Sequence, residues 1–125
     1  MFKSAEINFA HENIIESIDE LARAYSTSTT TFLHALGLSF EFAELDNDNP
    51  ENRAQASRRL CEIDSLLSAV RSWFSSDSEC WSWFMNEQLV AFSYLTPSQI
   101  VRLYQSRGIV FIRDWAEERK LGNFQ

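Results

Sequence analysis

The sequence contains few of the residues that build special sites or break regular structure. Its 125 residues include two cysteines, two prolines, three glycines and two histidines. Cys61 and Cys80 match no metal-ligand spacing, which excludes a disulfide framework and the usual zinc motifs and fits a reducing compartment. His11 and His34 stand apart in the sequence. Because metal sites need clustered donors, we expect no metal site and no cofactor.

Long hydrophobic runs are also missing. No stretch approaches the roughly 18 apolar residues of a membrane span, and the opening MFKSAEINFAHEN lacks the apolar core of a signal peptide. We therefore expect a cytoplasmic protein that binds no membrane. Hydrophobic content of 45% and aromatic content of 14% predict a packed globule, since a chain of this length buries about two-thirds of its unfolded surface.

Catalytic motifs are absent from the sequence. It has no Ser/His/Asp or Cys/His grouping with a supporting motif, no phosphate-cradling glycine loop and no HExxH. Asp77 and Glu79 stand near a helix start, where carboxylates accept from free N–H groups and complement the helix dipole. Asp114, Glu117 and Glu118 alternate with basic residues as solvent-facing pairs do. We expect no enzymatic activity.

Positive charge is scarce in the first part of the chain. The net charge is −7, and residues 1–52 hold two bases and ten acids, whereas residues 53–125 hold nine bases and eight acids. All the excess negative charge therefore lies in the N-terminal part. Duplex DNA is held chiefly by basic side chains that displace counterions from its phosphates, so this part is a poor DNA-binding surface on its own.

The sequence does contain residues that mark the starts and ends of helices. Asn49-Pro50 and Thr96-Pro97 predict helix starts, and Gln99 completes a capping box with Thr96. Apolar residues recur at helical spacing between these marks, which predicts an all-α helical bundle. The predicted helices cover about 11–25, 29–36, 40–45, 50–74, 77–85, 97–107 and 109–121, and the glycines that should end helices are Gly37, Gly108 and Gly122.

The longest predicted helix carries an apolar seam with heptad spacing. The seam covers only about two and a half repeats, and coiled coils usually need at least three. A globular bundle core is therefore favoured over a coiled coil. The polar segment DNDNP precedes this helix and divides a helix-turn-helix-like region, 1–48, from a C-terminal helical domain, 49–125. The seam residues are Ala56, Leu60, Ile63, Leu67, Val70 and Phe74.

Residues 18–39 have the outline of a helix-turn-helix. Ala22 supplies the small residue where two helices cross, and Ser26 stands where a glycine commonly allows the turn. No lysine or arginine occurs between positions 24 and 52, which favours a helical pair that only packs. DNA contact stays open, because a partner subunit could supply the missing charge. The candidate DNA contacts on the second helix are Thr29, Thr30, Thr31 and His34.

Residues 58–124 show an ordered series of features. A long helix ends in an aromatic residue and an acidic turn, followed by a tryptophan, an asparagine, a leucine, a Thr-Pro, a glycine and a last helix. This order resembles the C-terminal toxin-binding domain of the Xre/MbcA/ParS antitoxin family. That family usually has a glycine before the Thr-Pro, where this chain has Ser93-Tyr94-Leu95. The matching residues, mainly structural in role, are Trp83, Asn86, Leu89, Thr96, Pro97, Gly108 and Trp115.

The resemblance implies an antitoxin of a type II toxin–antitoxin system. It implies a protein that covers the active-site cleft of a RES-domain toxin, an NAD⁺-consuming enzyme, and that forms homodimers and autoregulates its operon. The alternatives are a helix-turn-helix transcription regulator without a toxin and a scaffold that has lost its toxin. A near-neutral, arginine-bearing end suits a cleft built for an anionic substrate. The toxin-binding candidates are Arg107, Arg113, Arg119, Lys120, Gly122, Asn123, Phe124 and Gln125.

Overall fold

The computed structural model describes residues 14–46 and 49–122. Within these ranges the chain forms seven α-helices, and its β-pairing is limited to one isolated bridge between Leu89 and Leu95. The all-α prediction is confirmed. No helix in the described ranges is long and apolar enough to cross a membrane. The helices are α1 (Ile14–Ala24), α2 (Thr29–Ala35), α3 (Phe42–Asp46), α4 (Pro50–Val70), α5 (Asp77–Asn86), α6 (Pro97–Tyr104) and α7 (Ser106–Gly122).

Both helix starts that the prolines mark are confirmed. The Asn49 side-chain oxygen accepts from the Asn52 backbone N–H at 3.2 Å, and α4 begins at Pro50. At the start of α6, the Thr96 hydroxyl accepts from the Gln99 N–H at 3.1 Å, and the Gln99 side chain accepts from the Thr96 N–H at 2.8 Å. This reciprocal capping box satisfies two otherwise free backbone donors. These starts depend on a few adjacent residues, so the local sequence determines them.

Gly37 ends the second helix, as predicted. Its φ of +79° places it in the left-handed region, which glycine enters without steric cost. The Gly37 N–H donates to the His34 carbonyl at 2.9 Å, and the Leu38 N–H donates to the Leu33 carbonyl at 3.1 Å. This is the Schellman arrangement, which satisfies the last carbonyl groups of α2.

The prediction that Gly108 ends a helix is wrong. α6 ends at Tyr104, Gln105 turns the chain with a φ of +57°, and Gly108 lies inside the first turns of α7. A Cβ atom at position 108 would lie 2.7 Å from the Ile100 carbonyl oxygen. Glycine is therefore required because the backbones of α6 and α7 approach closely there. Gly122 is the last residue of α7.

One hydrophobic core contains residues from both predicted parts of the chain. Ile18 and Phe32 from the N-terminal helices are fully buried together with Leu60 and Ile100 from the C-terminal ones. Contacts between the two parts also include a hydrogen bond at 2.9 Å from the Ser98 hydroxyl to the carbonyl of residue 35. The heptad seam of α4 lies inside this globular core, with Ala56, Leu60, Ile63, Leu67 and Val70 all fully buried.

The connection from α5 to α6 forms a closed loop without glycine. The Leu89 N–H donates to the Leu95 carbonyl, and the Tyr94 N–H donates to the Leu89 carbonyl, both at 2.9 Å. To close this loop, Ser93 and Tyr94 take φ values of +57° and +68°. Left-handed backbone costs an L-residue roughly 1–2 kcal/mol. Backbone hydrogen bonds therefore close the loop between Leu89 and Leu95 despite local strain.

Candidate functional site

The N-terminal helical pair offers little that would hold DNA. Ser26 has a φ of +55° in the turn between α1 and α2, and Thr30, Thr31 and His34 are exposed while Thr29 is half-buried. The Thr30 hydroxyl lies 3.3 Å from a Glu41 carboxylate oxygen. An acid beside the candidate DNA contacts opposes binding of phosphate, because affinity for duplex DNA depends on positive charge.

Titratable groups in the described residues form no metal site, although Asp64, Arg71, Asp77 and Cys80 lie close enough to act on Tyr25. No group of three or more His, Cys, Asp or Glu side chains there could hold a metal ion, and His11 lies outside the described residues. Burial raises the pKa of the Cys80 thiol to about 11 and also raises the pKa of Tyr25. A hydrogen bond from the Ser75 N–H lowers the pKa of Glu79. Burial and helix capping explain these shifts without any catalytic role.

The four predicted toxin-binding cations of α7 do not share one face. Arg107, Arg113 and Arg119 are exposed and stand six residues apart, so at about 100° per residue each points about 120° away from the next. Lys120 is half-buried and lies 3.6 Å from the Glu117 carboxylate. A surface built on α7 can therefore use one of these arginines at a time. Asn123, Phe124 and Gln125 lie outside the described residues.

Large exposed apolar side chains concentrate at the junction of α6 and α7. Leu103 is 62% exposed, Tyr104 51%, Val110 53% and Phe111 40%. The rings of Tyr104 and Phe111 meet edge to face with centroids 5.9 Å apart. Arg107 is exposed between them in the chain. We call these five residues the α6–α7 ridge; its Tyr, Phe, Leu and Arg side chains are typical of energetically important contacts between proteins.

A second surface is a groove of about 660 Å³ walled by aromatic rings. Trp83 and Trp115 stack at 6.4 Å, and Trp73 meets both edge to face at 6.2 and 6.0 Å. Phe74 closes one side at 5.8 Å from Trp83. Residues 87–91 of the closed loop form the opposite edge, where Val90 is 73% exposed. We call this surface the aromatic groove.

A row of α7 side chains joins the ridge to the groove. Arg107, Phe111, Trp115 and Arg119 are spaced four residues apart, so their side chains follow one another along the helix surface. The Arg119 guanidinium carbon lies 5.2 Å from the centroid of the Trp115 ring, within the range of a cation–π contact. The two arginines therefore bracket two aromatic rings. Each four-residue step turns about 40°, so the row winds about 120° around α7 from Arg107 to Arg119.

The residues of the family motif have identifiable structural roles. Trp83 is buried, Trp115 is half-buried, and both line the aromatic groove. Leu89 is buried and closes the loop by its bridge to Leu95. The remaining members are Asn86, the last residue of α5, whose amide donates to the Ser82 hydroxyl at 3.3 Å; Thr96 and Pro97, which start α6; and Gly108, which admits the backbone of residue 100.

Sequence reasoning did not find the groove and missed part of the ridge. Leu103 and Val110 were not among the candidates. The residues three and four positions away from each are mostly polar, which indicates that both side chains lie on exposed helix faces. The groove combines the turn after α4, the end of α5 with the closed loop, and α7, which are separate segments of the sequence. No local pattern could therefore have revealed it.

Comparisons with known proteins bring no further identification. No protein-family model, no curated protein and no solved structure matches the chain. The resemblance to the antitoxin family accordingly stays a prediction that rests on the residues of the motif.

Proposed function

We propose that the protein is the antitoxin of a type II toxin–antitoxin system, and that it binds and occludes a RES-domain, NAD⁺-consuming toxin through the α6–α7 ridge. The α6–α7 ridge is the observation that carries this proposal. Four large apolar side chains and an exposed arginine stand at one helix junction. Surfaces of this composition are used to bind other proteins.

The ridge offers one cation to an acidic residue of a partner. Arg107 is exposed and belongs to no ion pair among the described residues. Phe111 and Tyr104 would supply the apolar contact area around it, as aromatic residues commonly do at the centre of an interface.

Transcription regulation by this chain alone is the weaker hypothesis. The Thr30 hydroxyl of α2 lies 3.3 Å from a Glu41 carboxylate oxygen, and residues 14–46 carry one arginine and six acids. Homodimer formation and autoregulation, which the resemblance also implies, stay predictions. Steep, salt-dependent binding of DNA by the isolated protein would revive the regulator hypothesis.

Co-expression with a RES-domain toxin from the same genome tests the proposal. The wild-type chain should restore growth, and Phe111→Asp should lose this protection because it places a charge at the centre of the ridge. The control is Arg58→Asp, which places an aspartate at an exposed position of α4 and lowers the net charge by two, compared with one for Phe111→Asp. Protection by the Phe111→Asp variant equal to wild type would contradict a role for the ridge.

A further inference from the structure

Arg119 and Glu87 are the charged residues that line the aromatic groove, and no ion pair joins them among the described residues. Arg119 is exposed, its guanidinium lies over the Trp115 ring at 5.2 Å, and no carboxylate or carbonyl among the described residues accepts a hydrogen bond from it. A guanidinium has five N–H donors in a fixed fork that matches a carboxylate. The contact with Trp115 places this fork at the groove, where its N–H donors can pair with an anionic acceptor.

The groove beside Arg119 is large enough to hold more than one side chain of a partner. The groove volume of about 660 Å³ is within the range of pockets that enclose small ligands. Its walls are Trp73, Phe74, Trp83 and Trp115, and Val90 projects from the loop at its edge. Aromatic side chains of a partner would meet these rings in stacked or edge-to-face geometry.

We propose that the aromatic groove binds a short peptide segment of a partner protein, in which a bulky apolar residue is followed closely by an aspartate or glutamate that pairs with Arg119. The apolar residue fills the space between Trp83, Trp115 and the loop, and the carboxylate receives the guanidinium fork. This inference deepens the proposed function, on which it rests for the identity of the partner as the toxin. The recognition chemistry itself can be tested without the toxin.

The tryptophan indole N–H signals of the ¹⁵N-labelled full chain provide the readout. Of the four tryptophans, Trp73, Trp83 and Trp115 line the groove, whereas Trp81 stacks on Tyr25 at 4.9 Å elsewhere and serves as an internal control. The probe is the acetylated, amidated peptide Gly-Ser-Phe-Leu-Glu-Gly. We expect the groove signals to shift and the Trp81 signal to stay. Replacing Glu in the peptide by Gln should weaken binding about three- to ten-fold at low ionic strength.

Two variants of α7 separate the role of Arg119 from a general effect of charge. Arg119→Gln should remove the preference for the Glu peptide over the Gln peptide. Arg113→Gln, which loses the same charge about 120° around the helix, should keep the preference. Both positions are exposed, so neither substitution should unfold the chain.

Four results of the peptide titrations would overturn the proposal. They are the absence of any shift at millimolar peptide, equal binding of a matched peptide with Lys in place of Glu, an equal shift of Trp81, and an unchanged Glu preference in the Arg119→Gln protein. A shift of the groove signals on raising the protein concentration without peptide would also overturn it, because it would identify a second copy as the occupant. If the peptides fail while co-expression still protects against the toxin, only the inference about the groove falls.

Discussion

The guanidinium of Arg59 donates to the backbone carbonyl of Leu36 at 2.7 Å, and only 5% of Arg59 is exposed. The same guanidinium lies 3.2 Å from a Glu62 carboxylate oxygen, which also accepts from the Ser106 hydroxyl at 2.9 Å. This chain of polar contacts links the end of α2 to α4 and to the start of α7. It joins the helix-turn-helix-like region to the helices that carry the ridge.

Replacing Arg59 by methionine should therefore be costly. The substitution leaves the Leu36 carbonyl and the Glu62 carboxylate without their donor, and loss of one partner from a buried polar pair costs about 3–5 kcal/mol. Part of Glu62 is exposed, so we expect the free energy of unfolding in urea to fall by about 3 kcal/mol. The neighbouring Arg58→Met is the control: Arg58 is exposed and should change stability by less than about 0.5 kcal/mol.

Gly108→Ala should destabilise the protein, although alanine is the better helix former. Helix propensity alone would favour alanine by about 1 kcal/mol. The new Cβ would lie 2.7 Å from the Ile100 carbonyl oxygen, and overpacking of this kind costs about 1–3 kcal/mol. We expect a lower midpoint of thermal unfolding. A higher midpoint would show that α6 and α7 can separate easily, contrary to the role given to this glycine.

The local sequence predicted the fold better than the site. Asn49 and Thr96 cap helices through hydrogen bonds to residues three positions away. These helix starts can therefore be predicted from the local sequence without knowledge of the tertiary structure. The requirement for Gly108 comes from a different helix, and a periodic apolar pattern alone could not distinguish a helix end from a close contact. Arg119 gains its position from Trp115, and the groove around it is assembled from three separate segments.

Gln105 is a position where glycine should stabilise the protein. Its φ of +57° and ψ of −137° lie in a region of backbone space that side chains disfavour, at a cost of about 1–3 kcal/mol. Gln105→Gly should raise the free energy of unfolding by about 1 kcal/mol, since part of the gain is offset by the entropy of glycine. Gln105→Ala keeps the strain and loses the hydrogen bond from the side chain to the Arg102 carbonyl at 3.0 Å, so it should not stabilise. Equal effects of the two substitutions in chemical denaturation would argue against strain at this junction.

Stability should decline in alkaline solution because of a buried thiol. Burial raises the pKa of Cys80 from its ordinary value of 9.0 to about 11, so the folded state holds this proton longer than the unfolded state does. Its contribution is fully present below pH 9 and is lost as the pH rises towards 11, with about 1 kcal/mol gone by pH 10.

Urea unfolding of Cys80→Ala between pH 8.5 and 10.5 measures this effect. The variant should show a shallower loss of stability with pH than the wild type. Burial also raises the pKa of Tyr25, so some alkaline decline should remain. Cys61→Ala is the matched control at an exposed thiol and should flatten the profile less. Identical slopes for Cys80→Ala and wild type would show that Cys80 keeps its thiol proton no longer than the unfolded chain does.

The rate of NAD⁺ consumption by a purified RES-domain toxin of the same genome tests the central proposal most directly. With increasing amounts of the wild-type chain, we expect the rate to fall to background at a fixed molar ratio, because the chain covers the cleft. Phe111→Asp should shift the titration to much higher concentrations, and Arg58→Asp should not. An unchanged rate in the presence of excess wild-type chain would contradict the proposal that the α6–α7 ridge occludes such a toxin.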